Sequence, residues 1–266
     1  MSRPVFSRSA SAFVEDAIAP LNPALKVMVV SALCRVGTDV TDVASRRACL
    51  VVAPHPDDET LGAGATIMRK VDAGTPVHLV VATDGSKAPV GDPVEVAAVR
   101  RAELYAACAV LGLTEADVTW LGFVDAELAG TEEELAAAIA TVVGARRPAE
   151  VLVTGESDPH EDHAVLGAAT RRALAGTGVG LLSYPVWQFD RPARLLRQLR
   201  RGLRPELVRT DGYRQRKRDA LACYPSQMAA GNDDPEGLRP NFLPNFDRPY
   251  EMFFPVPLDV AAGDPR

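Results

Sequence analysis

The sequence predicts an α/β fold, a mainly parallel sheet with helices on both faces. From Cys49 onward, short apolar, β-rich runs alternate with longer helical ones. The five runs are apolar along their length and the segments between them are amphipathic, the pattern of strands covered on both sides. No linker divides the chain, so its 266 residues read as one large unit.

The elements follow in order. Residues 1–45 read as an N-terminal helical extension punctuated by Pro20 and Pro23, with an apolar spacing over 24–36 that suits a packed helix. The main domain is placed at 46–266. Its strands are CLVVA (49–53), VHLVVAT (77–83), VTWLGF (118–123), EVLVTG (150–155) and VGLLSYPV (179–186), with helices expected over 59–73, 94–111, 132–145 and 162–175. Past residue 191 the pattern becomes irregular. A helix is expected over 212–223, a Pro/Asn/Asp-rich stretch over 231–249, and a last strand in YEMFFPV (250–256). Crossovers of this Rossmann-like kind put ligand-binding loops at the carboxyl ends of the strands.

Composition narrows the function. A net charge of −6 and a pI near 5.3 offer no footprint for nucleic acid and no broad attraction to anionic membranes. The six arginines within 191–204 read as a solvated helix face. Four cysteines without CxxC spacing argue against a disulfide framework or a structural zinc site and fit reduced thiols in a cytoplasm. The first residues lack the apolar stretch of a signal peptide, and the apolar run at 27–33 is too short to span a bilayer. The expectation is a cytoplasmic protein; a homo-oligomer stays open.

Two acidic-histidine clusters carry the chemistry. The first is His55-Pro56-Asp57-Asp58-Glu59, directly after the strand CLVVA. The second is His160-Glu161-Asp162-His163, after EVLVT and a short loop. Three of the chain's four histidines fall in these clusters. Parallel strands bring both clusters to one edge of the sheet. Adjacent carboxylates repel, and a divalent cation would neutralise them. Histidine nitrogen with carboxylate oxygen suits Zn2+, and Fe2+ also fits. Magnesium prefers oxygen ligands alone. Three protein ligands and one open position make a hydrolytic metal site, with a neighbouring carboxylate as general base.

PHPDDETLGAG (54–64) followed by HEDHA (160–164) resembles the PIG-L/LmbE-like family of zinc-dependent N-acetylglucosaminyl deacetylases. The resemblance covers roughly residues 49–184, with weaker echoes at Lys217-x-x-Ala220 and Ser226-Gln227. The family usually reads HPDH where this chain has HEDH, which alters the loop residue and keeps the ligand spacing. The resemblance implies His55, Asp58 and His163 as metal ligands. It implies Asp57 as the general base and His160 as the residue that stabilises the oxyanion, where a histidinium could donate. Asp162 either orients His160, holds the tautomer of a ligand, or caps a helix. Glu59 reads as a first-turn helix carboxylate.

For the substrate, an amino sugar, the resemblance points to Arg100 and Asp125. The competing readings are an i,i+3 ion pair between Arg100 and Glu103, and a turn-initiating role for Asp125. The loop at 83–91 carries Ser86 and Lys87 where related enzymes often have an acid. Lys87 reads as a contact to an acidic substrate group or a solvated lysine. His78, amid apolar neighbours, reads as structural; Trp120 and Trp187 as core residues or sugar-stacking faces. Gly62 and Gly64 read as close helix packing rather than a phosphate cradle, since Ile67 breaks the dinucleotide pattern. The rival activities are an amidase acting on a larger acyl group and a non-catalytic sugar-binding protein.

Overall fold

The computed structural model of the protein describes residues 23–87, 91–228 and 237–258. Helix α1 (Pro23–Val36) leads into a short strand β1 (Thr38–Asp39) and a turn of helix α2 (Thr41–Ala44). Then come β2 (Cys49–Ala53), α3 (Asp58–Asp72), β3 (Val77–Thr83), α4 (Pro93–Leu111), β4 (Val118–Phe123), α5 (Glu132–Arg146), β5 (Glu150–Thr154), α6 (Glu161–Leu174) and β6 (Gly180–Tyr184). The chain finishes with α7 (Pro192–Arg200), β7 (Glu206–Arg209), α8 (Arg214–Leu221) and β8 (Tyr250–Pro255).

Eight strands form one sheet in the order β1-β7-β8-β6-β5-β2-β3-β4. The run from β6 to β4 is parallel throughout, and β8 is antiparallel to both β6 and β7. The α/β class and all five strands read from the sequence are present. The two cores divide by strand alternation. Cys49, Val51 and Ala53 of β2 pack on one face with Leu61, Met68 and Leu104, whereas Leu50 and Val52 pack on the other with Leu135, Ile139 and Leu166.

The helices begin and end where local chemistry dictates. Asp58 and Glu59 stand in the first turn of α3 and Arg69 and Lys70 in its last, matching the helix dipole. The Asp92 side chain caps α4 by accepting from the N–H groups of Val94 and Glu95 at 2.9 and 3.3 Å, with Pro93 in its first turn and Gly112 closing it at φ 91°.

The ends of the chain depart most from the sequence reading. The expected helical extension is helical at 23–36 but also supplies β1, which pairs in parallel with β7 and so joins the sheet. Val29, Val30 and Leu33 of α1 enter the core. Lys70, fully buried, binds this segment to the sheet through Glu150 Oε1 at 2.6 Å and the Arg47 carbonyl at 2.8 Å. Strands of two and four residues are too short to show a period, which is why β1 and β7 are not legible in the sequence. Residues 1–22 and part of the proline-rich stretch, 229–236, lie outside the described residues. Among the described residues, no helix is long and apolar enough to cross a membrane.

Gly62 answers to close packing. A Cβ there would lie 2.1 Å from the Tyr184 ring, which its own hydroxyl pins to the Val52 carbonyl at 3.0 Å. At Gly64 the nearest atom would be 3.4 Å away, an ordinary van der Waals contact with the Lys217 side chain. Gly62→Ala should therefore destabilise the fold by about 1–3 kcal/mol while Gly64→Ala is near neutral, read as shifts in the urea midpoint. His78 is buried beside Thr119, 2.8 Å from its hydroxyl. Burial, with Arg146 nearby, pushes its pKa from 6.5 down to about 4. The unfolded chain then takes up the proton first, so this contribution is complete above pH 6.5 and lost as pH falls toward 4. Replacing His78 by Gln should flatten the pH dependence of stability across that window.

Candidate functional site

β2 ends at Ala53 and the chain turns through 54–57 into α3; β5 ends at Thr154 and turns through 155–160 into α6. The two strands are adjacent, parallel and in register, Cys49 opposite Glu150 and Val52 opposite Val153. Both turns therefore open on one sheet edge, into a cavity of about 340 Å³ that His55, Asp57, Asp58, His160 and His163 line together.

His55, Asp58 and His163 each offer one ligand atom within 4.8 Å of the others. Asp58 Oδ2 is the shared point, 3.2 Å from His55 Nδ1 and 3.3 Å from His163 Nε2. The far nitrogen of His55, Nε2, faces Asp125 and Asp162 at 3.1 Å each. His163 is completely buried, yet neither of its ring nitrogens makes a hydrogen bond among the described residues. Its Nε2 meets Asp58 out of line, and its Nδ1 is 3.6 Å from Asp158, too far. Buried polar atoms without partners are rare and costly. A divalent cation at the shared point would satisfy His163 and leave His55 Nε2 to donate to its carboxylates, the usual support for a ligating imidazole. The donor set fits such an ion. The trio His55, His160 and Asp162 also meets the distance test, but it leaves the wholly orphaned ring of His163 unexplained.

The electrostatics point the same way. Burial alone would depress His55, but bonds to Asp125, Asp162 and Asp58 hold its pKa well above the usual histidine range. Burial would likewise raise Asp58, Asp125 and Asp162, and the facing histidines keep all three below the ordinary carboxylate value, His163 with His55 at Asp58 and His55 at the other two. Asp57 is the opposite case. Burial and the adjacent Asp58 and Glu59 charges push its pKa well up. His160 is lowered to about 4 by burial and by His163 and His55. These surroundings disfavour its charged form.

Asp162 does not cap α6. The N-cap is His160, and Asp162 accepts from the N–H groups of Ala126 and Leu128 at 2.8 and 3.3 Å while facing His55. Arg100 does not pair with Glu103. Its guanidinium reaches Asp125 at 3.3 Å, its Nε is buried without a partner among the described residues, and it lines the cavity; Glu103 turns to Ser226. Asp125 thus touches both His55 and Arg100. The Asp84 carboxylate organises the 83–87 turn and accepts from the Asp125 N–H at 3.2 Å. Lys87 and Trp187 line the cavity, the latter stacked on Phe242 at 4.6 Å. Trp120 packs instead against Arg101 and Tyr105.

Asp158 escaped the sequence reading. It is buried and accepts from the N–H groups of His160 and Trp187 at 3.0 and 3.1 Å. The signal was present in SDPHEDH, where an Asp two residues before His160 can form an Asx turn.

Residues 50–174 match the PIG-L family, described as GlcNAc-PI de-N-acetylase. A 1D-myo-inositol 2-acetamido-2-deoxy-alpha-D-glucopyranoside deacetylase of Kineococcus radiotolerans is 32% identical over 237 residues, covering 74% of this chain and 61% of the relative. A diacetylchitobiose deacetylase of Thermococcus kodakarensis is 35% identical over 117 residues, covering 43% of each chain. The chain thus spans less than two thirds of the length of these curated relatives. Among solved structures, the N,N'-diacetylchitobiose deacetylase of Pyrococcus horikoshii superposes with a TM-score of 0.63 at 22% identity, covering 80% of this chain and 84% of that one, which shows the shared fold.

The geometry makes a graded expectation for cation binding. Purified protein loaded with Zn2+ should retain about one ion per chain by elemental analysis, and His163→Ala should lose it. Asp162→Asn, which alters the support on the far side of His55, should weaken titrated affinity about 10–100-fold.

Proposed function

Because the chain belongs to the PIG-L/LmbE-like family, we propose that it is a zinc-dependent N-deacetylase. It would remove acetyl from an N-acetylglucosamine-type sugar or conjugate and release acetate and a free amine. The observation that carries this reading is the convergence of His55, Asp58 and His163 on one point beside Asp57, inside a cavity.

His55, Asp58 and His163 would hold one Zn2+. When bound, the ion polarises the amide carbonyl and makes water a nucleophile near neutral pH. The chain's own groups do the rest. Asp57 takes a proton from the attacking water as its oxygen bonds to the carbonyl carbon. The raised proton affinity of Asp57 suits a group that first accepts this proton and then returns it. His160, a neutral imidazole at the cavity wall, donates an N–H to the oxygen of the tetrahedral adduct. The C–N bond then breaks, and the proton held by Asp57 passes to the departing amine. Asp162 and Asp125 keep His55 in the tautomer with hydrogen on Nε2, which frees Nδ1 for the ion.

Arg100 and Asp125 hold sugar hydroxyls. Arg100 lines the cavity and its buried Nε has no partner among the described residues, which supports that role. Lys87 lines the same cavity and suits a substrate with an acidic group near the sugar.

The test is acetate release from N-acetylated sugars by the zinc-loaded protein, comparing wild type with Asp57→Asn. Both should bind one Zn2+ per chain, and only wild type should turn over, the variant losing about 10²–10⁴-fold or more. Equal turnover by both would remove Asp57 from its role.

A further inference from the structure

The peptide joining Pro56 to Asp57 is gripped at both ends. Its carbonyl oxygen accepts from Gln227 Nε2 at 2.6 Å. Its N–H donates to Glu59 Oε2 at 3.1 Å. The other oxygen of Glu59 accepts from the Tyr224 hydroxyl at 2.5 Å and from Thr60. Tyr224 and Gln227 belong to one tight turn, and Ser226 between them fastens it to α4: its N–H and hydroxyl donate to the two oxygens of Glu103 at 2.8 and 2.5 Å. Glu59 and Tyr224 are wholly buried and Gln227 is 8% exposed, so none of these bonds competes freely with water.

What the grip acts on is the backbone of Asp57, which sits at φ 117° and ψ −33°. A residue with a Cβ rarely adopts such a conformation, and one persists only where its surroundings over-determine it. The angle φ is set by how the Pro56–Asp57 peptide plane lies relative to the Asp57 Cα substituents. Relaxation to negative φ would need that plane to swing, and a swing breaks the bond at one end or both. The same angle aims the Asp57 side chain into the cavity beside His55 and Asp58.

We propose that Gln227 and Glu59, with Tyr224 behind Glu59, are positioning residues for the reaction proposed above: they lock the Pro56–Asp57 peptide and thereby hold the Asp57 carboxyl at its point of action. The inference rests on that reading for its consequence in rate, but the lock itself is a property of the backbone. Gln227 also lines the cavity, so direct contact with substrate is the rival role.

Three variants separate these roles. Gln227→Leu keeps bulk and removes the donor, Gln227→Glu sets an acceptor against the Pro56 carbonyl, and Tyr224→Phe removes one hydroxyl while keeping the ring. With N,N′-diacetylchitobiose as probe, kcat should fall about 10²-fold in Gln227→Leu, further in Gln227→Glu and less in Tyr224→Phe, with KM and bound Zn2+ unchanged. A raised KM with kcat intact would make Gln227 a substrate contact and overturn the proposal. The crystal structure of Gln227→Leu should show Asp57 out of its positive φ; retention of that φ overturns the lock whatever the rates. If Gln227→Leu does not fold, Tyr224→Phe carries both measurements. A wild type that releases no acetate counts against the proposed reaction, and the φ of Asp57 in the variant still decides the lock.

Discussion

The parallel, in-register pairing of β2 with β5 is the contact on which the site rests. Strands running the same way end on the same side, and the register leaves the turns after Ala53 and Thr154 level with each other. His163 is thereby brought to Asp58, and Asp162 to His55, across more than a hundred positions of sequence. The apolar side chains of β2 and β5 are buried on both faces of the sheet, so a slip of one strand past the other would exchange the two cores. The geometry of the site is thus underwritten by the hydrophobic packing beneath it.

That packing imposes an electrostatic burden. Asp57, Asp58, Glu59, Asp125, Asp158 and Asp162 are all buried at one edge of the sheet, with His55, His163 and Arg100 as the opposing groups. Desolvation of carboxylates on this scale is tolerated only where charge is matched and lone pairs are used. Backbone N–H groups take part of the load: Ala126 and Leu128 at Asp162, His160 and Trp187 at Asp158, Lys87 at Asp125. Among the described residues, neither ring nitrogen of His163 finds a hydrogen-bond partner. A bound cation would close that gap and offset the surplus of negative charge.

The carboxylates are differentiated by surroundings alone. Asp57 and Asp58 are neighbours in sequence, yet Asp58 is held acidic by two imidazoles while Asp57 is pushed toward its protonated form by burial and by the charges beside it. Separate proton affinities on adjacent residues are what the proposed ligand and base require. The strained backbone at Asp57 separates the two side chains, and the turn at 224–227 joins the C-terminal part of the chain to it through Gln227 and Tyr224.

The five central strands, the helices after them and both acidic-histidine clusters are legible in the sequence, because they rest on periodicity and on residue types whose chemistry is local. The ends of the elements could be read to within a residue or two where a cap marks them, as at Asp92 and Gly112. What tertiary structure decided is partnership. The sequence offers Glu103 to Arg100 three residues away, but the fold gives Arg100 to Asp125 and Glu103 to Ser226. It leaves Asp162 between capping, orienting and supporting, and the fold places it against His55. It shows nothing of β1 pairing with β7, of Asp158 beneath the second cluster, or of Gln227 on the Pro56 carbonyl. A sequence determines which groups are available and how each segment prefers to bend; which groups meet depends on strand order and register, and those are settled by burying the whole chain at once.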